Sequence, residues 1–136
     1  MGIGSTGYNI FLLLHVVFAV VAFGGNFVQP MLARSGGVDN ESFAKAALYV
    51  QLPALVLLWV TGMGLAGMSE DAIELTQTWV TLAIVVFLVA AVLQFLVGRA
   101  WRSGDPKLVP AFTGGLHLLL VVGLYLMVFQ PGRPGI

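Results

Sequence analysis

The chain has 136 residues, room for one domain, with 59% apolar and only 9% charged residues, and a mean hydropathy of +0.98. A soluble domain carries about 25% charged residues on its surface, so a water-soluble globule is excluded, as is a disordered chain. There is no cysteine to staple a secreted mini-protein, and the balance of 6 Lys+Arg against 6 Asp+Glu lacks the basic footprint that nucleic acid requires.

A helix that crosses the hydrocarbon needs about 20 mostly apolar residues. Four stretches in the single domain 1–136 qualify, at about 8–29, 44–68, 78–98 and 110–130. The expected class is an all-α transmembrane four-helix bundle, with the lipid bilayer as its solvent and no nucleic acid as a partner. No basic residue precedes the first apolar run, which is also too long for the core of a cleaved signal peptide.

In span one, His15, Ala19, Ala22 and Asn26 follow each other at helical intervals. They form one small or polar stripe, the side expected to face the bundle. Pro30 is read as following the span, with Ser35-Gly36-Gly37 opening a loop. Asp39-Asn40-Glu41-Ser42 supplies cap residues for span two. Inside that span Pro53 removes a helix hydrogen bond and predicts a kink. Gly62, Gly64, Ala66 and Gly67 thin its far half into a surface where a neighbouring backbone can come close.

Ser69-Glu70-Asp71 is read as the cap of span three, whose stripe is Ala83, Phe87, Ala90 and Gln94. Asp105-Pro106 marks the start of span four, and Pro131-Gly132 its end. Trp79 and Trp101, at span ends, are read as anchors at the membrane–water interface.

Connections one and three hold Arg34, Lys45, Arg99, Arg102 and Lys107. Connection two holds only Glu70, Asp71 and Glu74, and the tail only Arg133. The excess of Lys and Arg predicts connections one and three in the cytoplasm and both termini outside.

Polar side chains inside a span are costly and face the bundle interior. By depth, Asn26, Gln51, Gln94 and His117 predict one polar layer near the cytoplasmic side. His15, Thr61, Thr81 and Tyr125 predict another near the outer side. Helix–helix hydrogen bonding accounts for both layers, and a ligand or proton path is the alternative.

Two histidines on two spans invite a b-type haem, yet their depths differ by roughly 10 Å, too far to share one iron comfortably. His15, Met63 and Met127 offer imidazole and thioether donors suited to Cu(I), although methionine is also a common apolar filler. No intramembrane acid or base offers an ion-coupling site, and no hydrolase triad, zinc motif or phosphate loop occurs. No catalytic residue and no metal-ligand set is assigned.

Leu14-His15-Val16-Val17-Phe18, then Phe23-Gly24-Gly25-Asn26-Phe27 and Pro30-Met31-Leu32, resembles the first span of the HemJ-type membrane protoporphyrinogen oxidases. Pro53 with Thr61-Gly62, and Trp79, resemble the same group. The closing Tyr125-Leu126-Met127-Val128-Phe129-Gln130-Pro131-Gly132 is similar to a family of predicted bacterial integral membrane proteins related to HemJ and to the membrane part of copper-resistance protein D. The resemblance implies a multi-pass protein of the bacterial inner (plasma) membrane, with His15 as a haem b ligand. HemJ-type proteins carry a lysine four residues after the span-three tryptophan, implicated with the histidine in haem binding. This chain has Ala83 there, leaving His15 as a single axial ligand.

Three functions are weighed. The first is a bundle without a catalytic set, an accessory subunit working with other membrane subunits or as a homo-oligomer. The second is a haem-binding or porphyrin-handling redox protein using His15, and the third is copper or small-solute transport.

Overall fold

A computed structural model describes residues 2–105 and 107–133. Four helices are long and apolar enough to cross a membrane: α1 Thr6–Ser35, α2 Asn40–Gly67, α3 Thr78–Ser103 and α4 Leu108–Phe129. Among the described residues there is no strand. The chain is an all-helical bundle of four candidate spans, each longer than its apolar stretch.

Short connections make sequential helices antiparallel neighbours. The bundle is two hairpins, α1 with α2 and α3 with α4. They meet along the first half of α2 against α3, with α1 also touching α4. One end of the bundle carries Arg34, Lys45, Arg99, Arg102 and Lys107 and is called the basic end; the other carries the described terminal segments and connection 68–77.

Two joints depart from the sequence reading. Helix α1 does not stop before Pro30 but runs through it to Ser35, and Gly36 ends it at φ 75°. Proline lacks only its own N–H, and an isolated one can sit in a spanning helix whose neighbours hold it. Ser69-Glu70-Asp71 does not cap α3. Glu70 and Asp71 adopt left-handed backbone angles, and Gln77 is the N-cap. The Ser69 hydroxyl instead closes the end of α2, donating to the Ala66 carbonyl at 2.7 Å and accepting from the Ile73 N–H at 2.9 Å. For span four, Asp105 accepts from the Lys107 N–H at 2.9 Å, while Pro106 lies outside the described residues.

Before Pro53, where a kink is predicted, the helix takes a wider turn. Residues Ala47–Gln51 form this single π turn. Pro53 cannot donate to the carbonyl four residues back, and a widened turn relieves its ring. There the Leu52 N–H bonds to the Ala47 carbonyl, five residues back.

Glycine permits the close packing, with a division the sequence did not show. A Cβ on Gly64 would lie 2.7 Å from the Phe11 ring, and one on Gly62 would lie 3.1 Å from His15 Cε1. Gly67 meets nothing within 4 Å and belongs to no packing surface. The tightest approach is instead at Gly98, where a Cβ would strike the Leu48 side chain.

The core divides in two. The larger cluster, near the basic end, includes Phe43, Ala44, Ala47, Val97, Ala100, Trp101 and Leu116. A smaller one, near the opposite end, is built on Trp79, Val80 and Leu126. Trp79 and Trp101 are thus buried inside the bundle at 7% exposure each, not turned out as interface anchors. Each indole has enough apolar area to fill the gap where helices diverge at a span end.

Candidate functional site

The polar side chains inside the spans sort into one buried network and one cavity. The network lies a few turns from the basic end. Gln94 Nε2 donates to the Ala47 carbonyl at 3.4 Å, and Gln51 Nε2 donates to the Ala22 carbonyl at 3.1 Å. Backbone carbonyls only accept, so these contacts fix which way both amides point. Gln94 Oε1 then accepts from Asn26 Nδ2 at 3.0 Å, and Gln51 Oε1 from Gln29 Nε2 at 2.9 Å. All four amides are buried. The π turn takes part directly, since it brings both the Ala47 carbonyl and the Gln51 side chain into the network.

The predicted inner layer thus holds for Asn26, Gln51 and Gln94, but not for His117. That ring stacks on Phe27, centroids 4.0 Å apart and planes 10° from parallel, and its Nε2 has no hydrogen-bond partner among the described residues. Depth alone placed His117 in the layer; its rotation about α4 takes it to the seam with α1. The member missed was Gln29, which continues the series 15, 19, 22, 26 by one more helical interval. Gln29 is the last residue of the predicted span 8–29 and stands one step beyond the four residues of the stripe.

Asn26 Oδ1 and Gln29 Oε1 are also buried without partners among the described residues. They are three residues apart on one helix face, so their side chains are neighbours. Each buried orphan acceptor costs about 1–3 kcal/mol relative to a satisfied one.

The cavity lies between the two hairpins, toward the end opposite the basic one. Its volume is about 280 Å³. Phe23, Leu55 and Ala90 line its depth, Ile73 and Leu75 of connection 68–77 lie over it, and Tyr8, Trp79 and Gln130 are near its mouth. Trp59 of α2 and Phe87 of α3, ring centroids 5.6 Å apart, close the gap between the hairpins on one side. No Asp, Glu, Lys or Arg lines it.

His15 is the polar group in the deeper wall of this cavity. Its Nδ1 lies 3.1 Å from Thr61 Oγ1. The Thr61 hydroxyl is 2.9 Å from the carbonyls of both Leu57 and Leu58, four and three residues back, and donates its hydrogen there. Its oxygen must therefore accept from His15, which assigns the proton to Nδ1 and leaves Nε2 with a free lone pair. The imidazole also meets the Leu58 backbone, and no side-chain hydrogen bond to Nε2 occurs among the described residues.

The predicted outer layer reduces to this His15–Thr61 pair. Thr81 is exposed and bonds back to the carbonyls of Leu75 and Gln77, both at 3.3 Å. Tyr125 is exposed and packs on Phe129. Thr81 satisfies its hydroxyl on local carbonyls and Tyr125 points to the outer surface, so depth did not bring them inward.

The two histidines are further apart than sequence depth suggested. His117 stacks on Phe27, which is twelve residues from His15 on α1, about 18 Å along the helix axis. They cannot share an iron. A haem b held by His15 alone does not fit the walls either. Ala83 supplies no second group, and the lining offers no cation for the propionates. The three candidate copper donors, His15, Met63 and Met127, all line the same cavity. Among the described residues no group of three or more His, Cys, Asp or Glu side chains could hold a metal ion.

No protein-family model, curated protein or solved structure matches the chain.

Proposed function

We propose that the chain is a multi-pass membrane protein that lodges an apolar small molecule between its two helix hairpins, acting as a binding or accessory component of a larger membrane assembly. One observation carries this reading: an apolar cavity of about 280 Å³ contains a single imidazole whose orientation is fixed from behind by Thr61. Ligand sites commonly combine an apolar wall with a few well-placed polar groups.

The bacterial inner membrane is the proposed location, with both termini outside. Five of the six basic residues lie at one end of the bundle, and Lys and Arg excess marks the cytoplasmic side. The protein has no native cysteine, so single Ser5→Cys and Arg133→Cys variants report topology directly. Both should react with a membrane-impermeant maleimide in intact cells, and opposite labelling of the two would refute the orientation.

The lodging function is tested by releasing bound small molecules from protein extracted gently in detergent and identifying them by mass spectrometry. A recurring apolar species in the wild type, lost when Gly62→Leu fills the cavity wall, is the expected result. The same species in both would refute the reading.

A second reading is Cu(I) binding, favoured by the convergence of His15, Met63 and Met127 on one cavity. Thioether and imidazole ligands suit the soft monovalent ion. Competition with a chromogenic Cu(I) chelator should show one site per chain that is lost in Met63→Leu; undiminished binding in that variant would exclude it.

A further inference from the structure

We propose that the cavity recognises a ring-bound hydroxyl, so that its ligand is an apolar phenol or hydroquinone that donates a hydrogen bond to His15 Nε2. This rests on the lodging function above and names the class of molecule lodged.

The Thr61 contact makes Nε2 an acceptor, so its partner must be a donor. The other polar groups near the mouth are in part already committed. Trp79 Nε1 donates to Gln77 Oε1 at 2.7 Å, and Gln130 Oε1 accepts from Arg133 Nη1 at 2.6 Å. A charged ligand is disfavoured, because no side chain of opposite charge lines the cavity and an unpaired ion would lose its hydration. A neutral donor on an apolar frame is what remains. Aliphatic alcohols meet the donor requirement, but the walls favour a flat ring, with Tyr8, Phe23, Trp59, Trp79 and Phe87 all contributing aromatic surface.

Size agrees. A cavity of about 150 Å³ lined by Leu, Ile and Phe accommodates benzene. The volume here, about 280 Å³, leaves room for a substituted six-membered ring. Gly62 contributes to the same recognition. A Cβ there would press on His15 Cε1 at 3.1 Å, the ring carbon next to Nε2, so glycine keeps the imidazole in its place. No chemistry on the ligand is implied.

Trp59 and Trp79 line the cavity and provide an internal probe. With Trp101→Phe removing the indole elsewhere in the core, the full chain in detergent micelles is titrated with 2-decylhydroquinone and with its bis-O-methyl ether, which has the same ring but no donor. The hydroquinone should quench the tryptophan fluorescence saturably and bind at least about tenfold more tightly than the ether, the weight of one hydrogen bond of about 1.4 kcal/mol. His15→Leu should bring the hydroquinone to the affinity of the ether and leave the ether unchanged, while Val92→Ala, exposed on α3 and away from the cavity, should alter neither. Equal affinities of the two compounds for the chain with His15 intact would overturn hydroxyl recognition while leaving an apolar site in place. Absence of saturable quenching by either would overturn the inference and the lodging function together. The ether comparison needs no substitution of His15, so a misfolded variant cannot obscure the outcome.

Discussion

Replacing Gln94 with Leu removes the α3 member of the amide network and leaves the helix apolar. Gln94 is 1% exposed, donates to the Ala47 carbonyl and accepts from Asn26 Nδ2. Hydrogen bonds between spanning helices contribute about 0.6 kcal/mol on average and about 1.7 at most, so two give about 1–3 kcal/mol. The Ala47 carbonyl keeps its bond from the Leu52 N–H and adds little further cost. Asn26 is different: its Oδ1 already has no partner, and the substitution strands its Nδ2 as well. One more buried orphan adds about 1–3 kcal/mol, for a total loss of about 2–6 kcal/mol.

The double variant Asn26→Leu with Gln94→Leu removes both partners and should recover at least about 1 kcal/mol of that loss, because no stranded amide remains. Unfolding in mixed micelles titrated with a denaturing detergent, followed by the tryptophan signal, measures all four corners of the cycle. A Gln94→Leu protein within about 0.5 kcal/mol of the wild type, or a double variant whose loss equals the sum of the singles, would show that the network is not coupled as described.

The remaining predictions concern packing and caps. Gly98→Ala should destabilise the bundle by about 1–3 kcal/mol, because the new methyl strikes Leu48, whereas Gly24→Ala, with nothing within 4 Å, should be neutral or gain up to about 1 kcal/mol of helix propensity. The same micelle titration compares the two, and equal effects would contradict the packing. Ser69→Ala removes both hydrogen bonds that close α2 and should speed amide exchange across residues 69–77, measured by mass spectrometry; unchanged protection would show the hydroxyl to be dispensable. Asp39 caps α2 through the Ser42 N–H at 2.8 Å, and hydrogen bonds from the Ser42 side chain and backbone hold its pKa below the ordinary value of 3.8. A lowered acid pKa stabilises the folded end above the ordinary value, and that contribution is lost as pH falls through the lowered one. Exchange at the start of α2 should therefore increase below about pH 4 in the wild type, and Asp39→Asn, which still caps but does not titrate, should lack this dependence.

What was legible in the sequence follows from local properties. Length, hydropathy and charge placement lie along the chain itself, so the four spans and the helical class needed no tertiary information. The stripe of His15, Ala19, Ala22 and Asn26 was legible because helical period is fixed, and the bundle-facing side follows from the cost of polar groups in lipid. What sequence depth could not supply was rotation about each axis. His117, Thr81 and Tyr125 lie at plausible levels but turn elsewhere: one stacks at a seam, one bonds to nearby carbonyls and one packs on Phe129 at the surface.

Tertiary structure alone decided the rest. Gln29 joined the network because Gln51, at the π turn of the neighbouring helix, lies opposite it. The Ala47 carbonyl turned inward because a π turn precedes Pro53, a feature that no single side chain announces. The cavity exists because the hairpins pack closely along the first half of α2 and part beyond it, a matter of how four surfaces fit together. The amino-acid order specifies how long each helix is and what each face carries. Which faces meet depends on all four helices at once, and so does the space left between them.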